Sequence, residues 1–236
     1  MVPARRSILG APVTGSVDAT YQAAWLTDGL PGYPAKTTGD LSLTVTPASA
    51  LDVDVVAVCH HAIREAAAIA LGGSLASTID TEAWPADDIP HNWFRLLTVP
   101  TSVSSIVLGV TGNTDPVIVG ELWAGLSTVF PDLLQGRKYT PESPFPWEGE
   151  FSSLAPYDPG VSDQRRVSGT VILTDDEFAD LEDIRVGQRR GSRPVLWIDD
   201  DDVNDAWLAQ FSLEEEHSEG LHIVTLEITE IPRTRW

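Results

Sequence analysis

The chain has 236 residues, 42% of them hydrophobic and 21% charged, with 17 Pro, 18 Gly, one Cys and one Met. That length buries a core without covalent staples, and the Pro and Gly content implies many turns. Its 15 basic and 35 acidic residues give a net charge of −20, which repels phosphate backbones and anionic lipid and so disfavours nucleic acid and membrane surfaces as partners. Cys59 alone cannot form an internal disulfide. No apolar run reaches the ~18 residues of a membrane span, and no hydrophobic stretch follows Arg5 and Arg6. A soluble chain without membrane insertion is expected.

Residues 1–16 read as an N-terminal arm, and 17–127 as short strands broken by turns. Leu41, Leu43 and Val45 alternate with Ser42, Thr44 and Thr46, the period of a half-buried strand. Residues 52–59 (DVDVVAVC) are rich in β-branched side chains, as a buried strand should be. Further strands are predicted at 93–99, 105–110 and 117–124, separated by Pro100, by Thr111-Gly112-Asn113 and by Pro116. Residues 62–71 (AIREAAAIAL) have helical propensity yet lie between a strand and Gly72-Gly73. The strand reading is preferred there, because a two-sheet core needs the partner. Strands at this spacing predict a sandwich or jelly roll.

Pro131, Pro141, Pro144 and Pro146 argue against a helix or a central strand, so 128–150 is expected to be an extended linker or arm. A second domain, 151–236, follows. Val167, Gly169, Val171 and Leu173 alternate with polar residues as a strand does. Thr174-Asp175-Asp176-Glu177 is a capping box, with acids in the first turn to suit the helix dipole. Phe178, Leu181 and Ile184 then mark an apolar helix face that Gly187 ends. Strands are predicted at 194–198, 206–213 and 221–231, with Trp207, Ala209, Phe211 and Leu213 on one face of the second and Val224, Leu226 and Ile228 on one face of the third. The expected class is mainly β: an N-terminal jelly-roll β-sandwich plus a smaller C-terminal α+β domain, an antiparallel sheet with one helix.

Asp199, Asp200, Asp201 and Asp202 with Asp205 are the one metal candidate, since calcium wants several oxygen ligands on one loop. The EF-hand pattern fails, with Asp205 and Phe211 where Gly and Glu are needed, and a solvated hairpin loop is the preferred reading. Neighbours on a strand point to opposite faces, so Cys59-His60-His61 cannot all bind one zinc and is read as structural. Trp25, Trp84, Trp93 and Trp123 fall in the first domain. Packing or subunit contact is the commoner use of Trp, but Trp25, Trp84 and Trp93 are also candidates for stacking on a sugar ring. None of the G-x-S-x-G, H-E-x-x-H, Walker or G-x-G-x-x-G patterns occurs. Neither enzymatic activity nor a cofactor is expected.

Several segments in order carry a family resemblance: Trp25-Leu26-Thr27-Asp28-Gly29 with Pro31, then residues 53–58 leading into His60-His61, Gly72-Gly73, Trp93-Phe94-Arg95, and Val117-Ile118-Val119-Gly120-Glu121-Leu122. Over residues 17–127 this resembles the galactose-binding-like (discoidin-like) jelly roll found in tail proteins of tailed bacteriophages. The β-α-β-β-β order after Gln164-Arg165-Arg166 and a Pro-rich arm resembles distal-tail modules of long-tailed phages. These resemblances imply a structural component of a virion, a minor tail or tail-tip protein, with other tail proteins and copies of itself as partners. Arg137, Lys138, Trp147, Arg165, Arg166, Arg189, Arg190, Arg193 and Trp236 would then make subunit contacts. The alternatives are a carbohydrate-binding module for host-surface glycan, or a capsid decoration protein.

Overall fold

The computed structural model describes residues 7–30, 32–64, 67–75, 77–78, 91–129, 135–142, 164–187, 194–198, 206–218 and 220–231. The chain is mainly β. Among the described residues, nine strands build the N-terminal region: β1 (Val13–Gly15), β2 (Ala35–Thr37), β3 (Leu41–Val45), β4 (Leu51–His61), β5 (Ala68–Gly73), β6 (Ser77–Thr78), β7 (His91–Val103), β8 (Ile106–Thr111) and β9 (Val117–Gly125). One antiparallel sheet runs β1-β3-β8-β5-β6 and the other β2-β9-β4-β7. Most sheet neighbours are distant in sequence, as in a jelly roll. The alternation at 41–45 does what its period requires, since Leu41, Leu43 and Val45 are buried between the sheets with Leu108, Val110, Val56, Val58, Val119 and Leu122.

The ambiguous stretch divides: Ala62 to Arg64 forms no strand, and β5 begins only at Ala68. The N-terminal arm is not free either. Ile8 is 1% exposed in the sandwich core, its N–H donates to the Ala124 carbonyl at 2.8 Å, and Val13–Gly15 pairs with β3.

A second five-stranded sheet has the order β10-β11-β14-β13-β12, from β10 (Gln135–Glu142), β11 (Gln164–Leu173), β12 (Val195–Ile198), β13 (Ala206–Ser218) and β14 (Leu221–Glu230). Here the expectation of an extended linker at 128–150 is corrected, because Gln135–Glu142 pairs with β11. The prolines bar a central strand, and the segment takes the edge position where one backbone side needs no partner. Helix α1 (Asp175–Gly187) covers one face of this sheet, with Phe178, Leu181 and Ile184 packed against Val171, Trp207, Phe211 and Leu226. The capping box forms: the Thr174 N–H donates to Glu177 Oε2 at 2.8 Å, and the Glu177 N–H returns to Thr174 Oγ1 at 3.5 Å. His222 ties the helix start to the β13–β14 hairpin. It stacks on Phe178 at 4.1 Å and bonds Glu215 and Asp175 at 2.6 and 2.9 Å.

The N- and C-terminal regions share a third core. Val55, Ala57, Cys59, Phe94 and Trp123 on the outer face of the β4–β7–β9 sheet meet Leu196, Ala206 and Leu208 of β12 and β13. Asn92 bridges the same seam: its Nδ2 donates to the Ala206 carbonyl at 3.0 Å, and its Oδ1 accepts the His60 N–H at 2.8 Å. That bond meets a bulge, where His60 takes φ 51° and the β4–β7 register shifts. His60 and His61 are buried at the strand end.

Leu208 is fully buried in the shared core, so Leu208→Ala should cost about 2–5 kcal/mol. The intact chain is expected to unfold in one calorimetric transition, and Leu208→Asp to split it into two. A wild-type chain already showing two transitions would count against the seam.

Candidate functional site

The groove begins with a turn. Ala23–Thr27 forms a single 3-10 turn, Asp28 follows it, and Gly29 turns the chain with φ +78°. A Cβ at Gly29 would meet Leu9 at 3.1 Å and Pro194 at 3.3 Å, so glycine is needed for space as well as for conformation. Beneath the turn lies Glu121 of β9, 0% exposed, whose two carboxylate oxygens accept the Gly29 N–H at 3.1 and 3.2 Å. Burial pushes the Glu121 carboxyl well up, and the neighbouring Asp28 charge adds to the rise against the lowering bonds from Gly29 and Leu30. Asp28 is raised as well, first by its own desolvation, although the Leu30 N–H donates to its Oδ1 at 2.7 Å. Burial therefore disfavours the ionised form of both carboxyls at this turn.

That turn carries one wall of a groove of about 360 Å³, lined by Thr20, Tyr21, Trp25, Tyr33, Lys36 and Ile118. Its floor is the β2–β9 pair, where Lys36 stands opposite Ile118. Trp25 meets Tyr21 edge to face at 6.2 Å and Tyr33 at 5.8 Å, tilted by 50°. Tyr33 is 57% exposed, and its N–H donates to the Leu30 carbonyl at 2.9 Å, linking the groove to the Glu121 turn. Lys36 Nζ lies 5.5 Å from the Tyr21 ring centroid, within cation–π range.

Of the Trp residues expected to offer a sugar platform, Trp25 lies half-buried in this groove. Trp93 is only 3% exposed in the sandwich core, because its place on β7 points it between the sheets, so the expectation is corrected there. Trp84 lies outside the described residues, as do the metal candidates Asp199, Asp200, Asp201, Asp202 and Asp205. Among the described residues no cluster of three or more His, Cys, Asp or Glu side chains could hold a metal. Of the residues expected at subunit contacts, Arg166 pairs within the chain with Glu227 at 2.7 Å. Arg137 and Lys138 lie on β10 and Arg165 on β11, with their side chains outside the described portion. Trp147, Arg189, Arg190, Arg193 and Trp236 lie outside the described residues. Tyr21, Tyr33, Lys36 and Glu121 gave no functional signal in the sequence.

No family model matches the chain, and no curated protein does. Solved structures do. A chitosan-binding module from a Paenibacillus sp. IK-5 chitosanase/glucanase shares 15% identity at a TM-score of 0.40, covering 50% of this chain and 96% of that one. The family 32 carbohydrate-binding module of C. perfringens NanJ, solved with galactose, shares 15% at 0.40, with coverages of 52% and 96%. The lectin domain of lectinolysin, complexed with Lewis B antigen, shares 10% at 0.39, with 51% and 96%. At these scores and identities nothing about ligand or activity follows for this chain.

Glu121 gives a signed expectation. Its folded pKa lies above the ordinary value of 4.5. The stability it contributes is therefore full below that value and is lost as pH rises through the folded pKa. The unfolding free energy of the wild type should fall relative to Glu121→Gln as pH rises from below 4.5. Equal profiles in urea titrations would show that the carboxyl is not held neutral by the fold.

Proposed function

We propose that the chain is a carbohydrate-binding module whose site is the Tyr21–Trp25–Tyr33 groove. The observation that carries this reading is the meeting of three aromatic rings, half-buried or exposed, in one groove beside polar tips. A pyranose has an apolar C–H face and a rim of hydroxyls. Aromatic faces match the first, and the Tyr hydroxyls, Thr20 and Lys36 match the second. The volume is at the small end of ligand pockets, suited to one sugar unit of a longer chain. In the virion setting that the sequence resemblance implies, such a groove would attach a tail component to host-surface glycan.

A glycan array followed by calorimetry tests the reading. Tyr33 is 57% exposed, so Tyr33→Ala should leave the melting temperature unchanged. The same change should weaken saccharide binding by about tenfold or more, as loss of an aromatic anchor does. Trp25→Ala should abolish binding. Absence of saccharide binding by the wild type would overturn the reading.

A further inference from the structure

We propose that the groove selects acidic saccharides, specifically hexuronate units, through Lys36; this rests on the carbohydrate reading above. Lys36 is one of 15 basic residues in a chain with 35 acidic ones. Three of the described arginines are already matched: Arg64 pairs with Asp115 at 3.0 Å, Arg166 with Glu227 at 2.7 Å and Arg185 with Glu182 at 2.6 Å. Lys36 differs from these three by standing at the groove. Among the described residues no carboxylate pairs with it, and its ammonium stands over Tyr21 at the groove.

The nearby carboxylates have other occupations. Asp18 Oδ1 accepts the Thr38 N–H at 3.2 Å, Asp28 Oδ1 accepts the Leu30 N–H at 2.7 Å, and Glu121 is buried under the turn. An ammonium held by an aromatic face and short of an anion is a point charge looking for one. The net charge of −20 opposes any anionic ligand at long range. At physiological salt that field fades beyond about 8 Å, so the closest charge decides. A hexuronate offers both halves of the match. Its ring face stacks on Trp25 and Tyr33, and its carboxylate accepts a charge-assisted hydrogen bond from Lys36.

The test compares tetragalacturonate with its carboxyl-reduced counterpart, which keeps the ring and loses the charge. By calorimetry the wild type should bind the acidic sugar about tenfold more tightly, the worth of one charge-assisted hydrogen bond. The preference should shrink as salt is raised. Lys36→Gln should bind both sugars alike, with an unchanged melting temperature. Equal wild-type affinities, or a preference that survives Lys36→Gln, would overturn the acidic selection. If Trp25→Ala still abolished binding of both sugars in that case, the carbohydrate reading would stand alone. Binding of neither sugar would overturn this inference, and the carbohydrate reading would then fall or stand on the glycan array.

Discussion

One constraint organises the molecule: β9 and β4, the central strands of the β2-β9-β4-β7 sheet, are buried on both faces along most of their length. Antiparallel sheets commonly leave one face to water, and their strands then alternate. Here Val56 and Val58 of β4 face the sandwich core, while Val55, Ala57 and Cys59 face β12 and β13. Each large apolar side chain buried this way contributes about 1.5–3 kcal/mol. The second five-stranded sheet is thus less an appended module than the other wall of the sandwich's central layer. The same covering explains why Trp123, an aromatic residue on the sandwich, is only 1% exposed.

A polar group inside a doubly covered sheet must find partners or stay neutral. Glu121 lies two residues from Trp123 on β9 and does both, accepting the Gly29 N–H while its pKa is driven up. Gly29 in turn fits between Leu9 and Pro194, so the turn is held from the sandwich, the arm and the C-terminal region at once. The groove aromatics hang on this arrangement. Trp25 precedes the turn and Tyr33 follows it, so their 5.8 Å contact depends on where the turn sits. Rigid support of this kind spares a ligand the cost of ordering the loop.

Elements with strong local signals were legible in the sequence. The alternation at 41–45, the β-branched run in β4, the capping box and the face of Trp207, Ala209 and Phe211 all took their expected places. What the residues alone did not show were the relations between distant segments. The continuous run 53–59 signals two buried faces, but not that β12 and β13 supply the second. The prolines of 131–146 excluded a central strand and were silent about an edge one, which became β10. The groove was half visible. Trp25 was a candidate by type, while Tyr21, Tyr33 and Lys36 acquire meaning only once β2 pairs with β9. Trp93 shows the converse, a candidate by type whose strand turns it inward.

The charge takes on a local meaning in this setting. Residues 1–127 carry 5 basic and 12 acidic side chains, against 10 and 23 in residues 128–236. Most of the negative excess therefore belongs to the region that does not line the groove. Among the N-terminal acids, burial raises the pKa of Asp28 and of Glu121 at the turn. At the groove itself stands the Lys36 cation, set over Tyr21, in a molecule whose total charge has the opposite sign.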